Sequence, residues 1–369
     1  MNPHVPVNNL LWNMTRKCNF RCEYCYFPHD NTPVETTLPV ERILDFLSAT
    51  NEKWTVGMTG GEPFIYPKFV DICAALSAEH RIAVDTNLSV SSKVRDFAER
   101  IDPDRVDDLY VALHIAERER VKGVPAFIEN ARLLLDKGFN VIVNYVVHPD
   151  LLDRYHEDAA RFASHDIRIT PRPFKGRHEG RRYPEAYGEQ GRAVFADFPE
   201  QGRKIAYNFE GIPCSAGRTL LRMEPDGTVF RCPGDKTVLG NVMEDVTLLD
   251  GDEPCRVRRC PCRGLDHLRL EPFQQHMVNG VQYLVVGDPE NARAELEQAD
   301  SLRPGLGQVL NNLGVAAWKQ GQRGEAADLF ARGLDAAPES ETLRANLAGI
   351  LDPAPDFEPG ISLRIVPTA

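Results

Sequence analysis

Three cysteines stand close together in the run Cys18-Asn19-Phe20-Arg21-Cys22-Glu23-Tyr24-Cys25. Three residues separate the first pair and two the second, so a short irregular stretch can face all three sulfurs toward a common point. Thiolates gathered this way suit a soft metal, and iron-sulfur clusters are usually held by four of them. Three local thiols with no fourth nearby leave one iron open to another ligand. Zinc is the alternative, but a structural zinc wants four nitrogen or sulfur ligands at its own spacings, and the near histidines, His4 and His29, do not complete such a set. A second run, Thr59-Gly60-Gly61-Glu62-Pro63, follows. Alone it reads as a tight turn, since glycine tolerates unusual backbone angles.

In this order the two runs resemble the radical S-adenosylmethionine (radical SAM) superfamily. Its loop motif is Cys-x3-Cys-x2-Cys with an aromatic residue, here Tyr24, before the last cysteine, and its Gly-Gly-Glu-Pro signature closes the second strand. The resemblance implies a 4Fe-4S cluster on Cys18, Cys22 and Cys25 whose fourth iron chelates the amino and carboxylate groups of S-adenosylmethionine. It places Tyr24, Gly60, Gly61, Glu62 and Pro63 around that cofactor, with backbone groups of the glycine turn toward the methionyl ammonium. It also implies an electron donor such as flavodoxin or ferredoxin, cleavage of the cofactor to methionine and a 5'-deoxyadenosyl radical, and removal of a hydrogen atom from a substrate.

Around these motifs, short apolar runs alternate with helical periodicity, the pattern of an α/β domain with parallel strands. Strands are expected at 10–14, 55–59, 82–86, 109–114, 141–147 and 167–170. Helices are expected to begin at Pro39 and to cover 69–78, 92–99, 126–136 and 155–163. Six strands agree with the partial (β/α)6 barrel of the resembled family, although periodicity alone also allows an open doubly wound sheet. Chemistry in a parallel barrel gathers at the C-terminal strand ends. There Asn87 and Asn144 are expected to hold the ribose or carboxylate of the cofactor, and His114 and Arg172 to face the substrate; capping and turn formation are the ordinary roles of such residues. The basic run from Arg168 to Arg182 suits an anionic substrate or plain solvation. Much of 173–202 reads as a mobile connector. Cys73, among Val70, Ile72, Ala74 and Leu76, reads as a small buried apolar residue.

A second cysteine group comprises Cys214, Cys232, Cys255, Cys260 and Cys262. The run Glu224-Pro225-Asp226-Gly227-Thr228 between apolar flanks reads as a hairpin turn that brings Cys214 and Cys232 together. The group resembles the auxiliary iron-sulfur regions called SPASM and twitch domains, which implies one further 4Fe-4S cluster on four of the five thiols, Cys214 and Cys232 with two of the other three. A four-cysteine zinc site is the alternative. Arg256, Arg258, Arg259 and Arg263 would offset the charge of a thiolate-bound cluster.

The C-terminal third repeats itself. Glu271 to Pro304 and Gly305 to Pro338 are each 34 residues long, with Gly280 matching Gly314, Ala292 matching Ala326 and Pro304 matching Pro338. This period and the run Asn311-Asn312-Leu313-Gly314 resemble the tetratricopeptide (TPR) repeat, a helix-turn-helix unit. A third copy begins at Asn346 and stops after one helix, before a loose tail at 353–369. The resemblance implies a helical array that docks a peptide or protein, mediates dimerisation or braces its neighbour. The expected division is therefore a radical SAM core at 1–175, a connector at 176–210, an auxiliary cluster domain at 211–268, TPR-like repeats at 271–352 and the tail.

The chain has 369 residues, 42% hydrophobic and 26% charged, which allows two or three domains with buried cores. Its formal charge of -11 argues against broad nucleic-acid binding. No run reaches membrane-span length and the N-terminus lacks a signal-peptide pattern, so a cytoplasmic location is expected, where clustered cysteines point to metal rather than disulfides. The sequence thus reads as a radical SAM enzyme acting on a peptide or protein. A sugar or other small anionic metabolite is the second reading. A non-catalytic metal scaffold with a partner-binding tail is the third.

Overall fold

The computed structural model describes residues 8–25, 37–184, 186–196, 198, 206–260, 265–354 and 357–367. They fall into two compact bodies, one drawn from Met1–Gln201 and Ala216–Gly251, the other from Gly202–Ser215 and Asp252–Ala369.

The first body is built on β1 (Asn8–Thr15), α1 (Val40–Ala49), β2 (Trp54–Gly60), α2 (Phe69–Glu79), β3 (Arg81–Thr86), α3 (Ser91–Arg100), β4 (Val106–Ala112), α4 (Ile115–Arg120), α5 (Val124–Asp136), β5 (Val141–Val147), α6 (Tyr155–Ala163) and β6 (Ile169–Pro173). The six strands pair in parallel and in sequential order. A doubly wound sheet reverses its strand order at a switch point, and no reversal occurs here. Apolar side chains alternate toward one face: Leu10, Trp12 and Met14, then Val56 and Met58, Ile82 and Val84, and Leu109 and Val111 are buried. Helix faces close over the sheet with Ile43 and Leu47 of α1, and with Phe69, Leu76 and Cys73 of α2. Cys73 is thus the buried apolar residue its setting suggested.

Three differences from the sequence reading matter. The strand expected to run to His114 stops at Ala112, because His114 adopts a left-handed conformation (φ 46°, ψ 52°) and opens α4, a helix that periodicity had not picked out. In the connector region the described residues form a hairpin of β7 (Gly176–His178) and β8 (Arg181–Tyr183) followed by α7 (Glu189–Ala196). The second hairpin, β10 (Leu220–Met223) with β11 (Thr228–Phe230) and then β12 (Val238–Asn241), does turn at Glu224–Gly227, but it extends the main sheet: β10 lies parallel to β1.

In the second body, β9 (Pro213–Cys214) pairs with β13 (Glu253–Pro254). Five helices follow: α8 (Pro272–Val286), α9 (Pro289–Leu302), α10 (Gly307–Lys319), α11 (Arg323–Ala336) and α12 (Glu341–Leu351). Their ends are locally encoded. Glu271 and Gln274 form a reciprocal capping box ahead of Pro272, and Asp288 and Ser340 cap α9 and α12. Successive helices pack on one another. The repeat period shows in that packing, since a Cβ on Gly280 would lie 2.6 Å from Leu296 and one on Gly314 would lie 2.5 Å from Phe330, the matching residue one period on.

The tail is not loose over its described part. Asn346 donates from Nδ2 to Gly360 O (2.8 Å) and accepts from Gly360 N (2.7 Å), and Asn312, one period earlier, does the same with Ser362 (3.0 and 2.8 Å). Asn311 adds a bond to Gly360 O (3.0 Å). All three asparagines are buried, so their amides need partners and the extended strand supplies them. Sequence pattern missed this because extended backbone with no ladder of its own has no periodic signature. Asn346→Ala removes two of these bonds at about 0.5–1.5 kcal/mol each; roughly tenfold faster hydrogen exchange at the Gly360 amide is expected, with helix amides unchanged, read by exchange mass spectrometry.

Candidate functional site

Parallel pairing delivers the C-terminal ends of six strands to one edge, where the cysteine loop leaves β1. Its backbone is anchored at both sides. Gly61 N donates to Thr15 O (2.7 Å) and Glu62 N to Lys17 O (2.9 Å), so the glycine turn after β2 lies directly against the loop's start. The contact leaves no room for side chains: a Cβ on Gly61 would sit 1.9 Å from Lys17 O, and Gly60 holds φ 136° with Thr15 O 2.3 Å from its Cβ position. Within the loop, Cys25 N donates to Cys22 O (3.1 Å) and Phe20 N to Cys18 Sγ (3.4 Å). Across it, Arg21 N donates to Glu117 of α4 (2.7 Å), itself paired with Arg120.

Glu62 is wholly buried and accepts from Phe64 N (3.0 Å), Thr86 Oγ1 (2.7 Å) and Asn87 N (2.7 Å). Burial pushes its carboxyl up against these three donors and the field of Arg118, which pull it down. Its side chain is a brace between β2 and β3. Pro63 opens the short turn that follows and is buried with Phe64. Asn87 directs its amide at Asn19 Oδ1 (3.1 Å) and Cys18 Sγ (3.9 Å). Arg118, buried, donates to Leu113 O (2.9 Å) and to Asn87 O, with its guanidinium over Phe20 and Phe127.

Tyr24 shares a 2.9 Å hydrogen bond with His114 Nδ1, and its ring stacks on His148 at 5.9 Å. Burial, then the charge of Arg118, lowers the His114 pKa to about 4, so at neutral pH its ring is uncharged. Burial likewise lowers His148, and Arg172 Nε donates to Asn144 Oδ1 (2.6 Å). Sequence reasoning thus singled out residues that the fold brings to one edge, but it had given Asn144 and Arg172 separate duties where they bond to each other. It missed Asn19, Glu117, Arg118 and His148. Only the left-handed turn at His114, which the sequence does not disclose, aims Glu117 and Arg118 inward.

The three thiols suit a metal cluster. Cys22 is pushed up to about 12, by burial first and then by Glu117, Cys18 and Cys25; Cys18 is raised by burial, with Glu62 and Cys25 adding. Thiolates packed against one another and against carboxylates are costly without a cation, and a coordinating metal supplies that charge.

Of the second cysteine group, Cys214, Cys255 and Cys260 are buried in the second body and tied to one segment: Cys214 lies in β9, Cys255 N donates to Ile212 O (2.8 Å) and Cys260 N to Tyr207 O (2.8 Å). Cys232 belongs to the first body, where its Sγ accepts from Asp235 N (3.1 Å). Arg258 pairs with Glu210 and Arg256 with Glu253. Cys262, Arg263, His4 and His29 lie outside the described residues.

Residues 12–163 match the family model of the Radical SAM superfamily. The GTP 3',8-cyclase of Campylobacter jejuni subsp. doylei is 27% identical over 121 residues, 31% of this chain and 38% of that protein. The PqqA peptide cyclase of Streptomyces rochei is 26% identical over 318 residues, covering 72% of this chain and 85% of that protein. Among solved structures, Streptococcus suis SuiB bound to S-adenosylmethionine matches with a TM-score of 0.45 at 15% identity, over 65% of this chain and 64% of that one. The chain spans about half the length or less of the first curated relatives it matches.

Two outcomes follow from the geometry. Gly61→Ala forces the β2 turn away from Lys17 and should cost about 1–3 kcal/mol by overpacking, read as a lowered urea midpoint. Because His114 stays neutral when folded but takes a proton below pH 6.5 when unfolded, its contribution to stability is complete above pH 6.5 and is lost as pH falls toward 4. Wild type and His114→Gln should therefore converge in unfolding free energy by about 3 kcal/mol over that window, measured by denaturant titration at each pH.

Proposed function

We propose that the radical SAM superfamily domain at residues 12–163 makes this protein a radical SAM enzyme, with a 4Fe-4S cluster on Cys18, Cys22 and Cys25 and S-adenosylmethionine beside it. The observation that carries the reading is the docking of the Gly60–Glu62 turn on the residues that enter the cysteine loop, two motifs distant in sequence and joined by the 2.7 and 2.9 Å backbone bonds. When bound, cluster and cofactor supply, on one-electron reduction by a donor such as flavodoxin or ferredoxin, a 5'-deoxyadenosyl radical that takes a hydrogen atom from substrate.

The chain's own part is to hold and shield. Cys25 is exposed and Cys22 buried, so the loop presents one side to incoming molecules and seals the other. Gly60 and Gly61 keep backbone groups within reach of the cofactor's methionyl end, Glu62 and Pro63 fix that turn, and Asn87 and Tyr24 hold the loop's flanks. In this reading Asn144 would serve the cofactor, and Arg172 and neutral His114 the substrate. A second 4Fe-4S cluster on four of Cys214, Cys232, Cys255, Cys260 and Cys262 is supported by the burial of three of these thiols around residues 207–214. The helical array at 271–352 is read as TPR-like.

A peptide or protein is the favoured substrate, on the extent of the similarity to the PqqA peptide cyclase. A small anionic metabolite is the second reading, supported by the relative named GTP 3',8-cyclase and by Arg172 at the strand ends. Anaerobically reconstituted protein with dithionite and S-adenosylmethionine should release methionine and 5'-deoxyadenosine, and Cys25→Ala should release neither. Equal, background-level product from both proteins sinks the reading.

A further inference from the structure

Beyond the cysteine loop, three ligand-bearing side chains converge that the radical chemistry does not use. His148 follows β5, Asp150 lies within the short turn after it, and His178 ends β7. One donor atom from each lies within 4.8 Å of the other two. His148 Nδ1 is 3.3 Å from one oxygen of Asp150, and His178 Nε2 is 3.0 Å from the other. Two donors bound to one tetrahedral ion at about 2.0–2.1 Å stand roughly 3.4 Å apart, so the spacing needs only small adjustment to close on a cation.

The surroundings hold the donors in place. The His148 ring is wedged against Phe174 (4.8 Å) and His178 (4.7 Å) and stacked by Tyr24 (5.9 Å). Asp150 N donates to His148 Nδ1 at 3.4 Å, a long bond that this nitrogen would exchange for a metal. Asp150 is largely exposed while His148 is buried, an arrangement with a closed floor and an open side. Arg177, Arg181 and Arg182 share the hairpin with His178 but are exposed to water, which screens them.

We propose that His148, Asp150 and His178 bind one divalent first-row transition-metal ion, zinc or ferrous iron, leaving coordination positions open on the Asp150 side. Two imidazoles and a carboxylate are the donor set of such ions, and three protein ligands with open positions mark a site that takes water or an oxygen ligand of a substrate. Through Tyr24 the ion's imidazole is in ring contact with the loop that carries Cys22 and Cys25, so a bound substrate oxygen would lie on the same edge of the sheet.

The test uses the full chain after iron-sulfur loading, titrated with zinc against a chromophoric chelator, with iron and zinc counted per chain. Wild type should take up one zinc more than His178→Ala or Asp150→Ala, and affinity in the variants should fall by more than the roughly 10–100-fold that loss of an outer-shell partner costs. Asp150 and His178 lie near the surface, so iron content and circular dichroism should match wild type in both variants. Zinc uptake equal in number and affinity in wild type and both variants, or no uptake by wild type beyond theirs, overturns the assignment. Iron content and 5'-deoxyadenosine release report separately on the radical reading.

Discussion

A carboxylate with no exposure to water is the constraint on which this edge of the protein depends. Burying an ion costs several kcal/mol unless its lone pairs are met, and Glu62 is met from both sides: by its own turn at Phe64 and by the end of β3 at Thr86 and Asn87. The same residue's amide binds Lys17 at the entry to the cysteine loop. The circuit then closes through α4, whose Arg118 reaches Asn87 and whose Glu117 takes the Arg21 amide from the loop's middle. Removing any member leaves a buried polar group unmet, so the loop's shape is over-determined before any metal arrives.

That circuit explains what the sequence could and could not disclose. Cys18, Cys22, Cys25 and Gly60 to Pro63 were legible because metal binding and close backbone approach each demand particular residue types at short spacing. The six strands were legible for a similar reason: each is a short apolar run in which core-facing residues alternate. Glu117, Arg118 and His148 were not, because nothing in their neighbourhood distinguishes an inward charge from a solvated one. Their direction is set by the left-handed turn at His114 and by the end of β5, which are facts of three-dimensional placement. The hairpin at 220–230 was seen, but its pairing with β1 was not, since a strand edge has no signature in the segment that joins it.

The second body shows a different kind of legibility. Its 34-residue repeat is visible in the chain, and the packing returns it at Gly280 with Leu296 and Gly314 with Phe330. Caps at Glu271, Asp288 and Ser340 mark three of its helix starts. The tail's course was not, although the residues that receive it, Asn312 and Asn346, are themselves one period apart.

Along the tail those two amides address only peptide groups, at Gly360 and Ser362, alternate positions of an extended strand. At these two positions the grip is blind to side-chain identity, whereas Ile365 is wholly buried and Phe357 packs edge-on against Trp318 at 6.2 Å. Imino acids are the exception, because a proline at either gripped position has no N–H to offer. The tail is thus held by backbone chemistry at two positions and by side-chain packing at others.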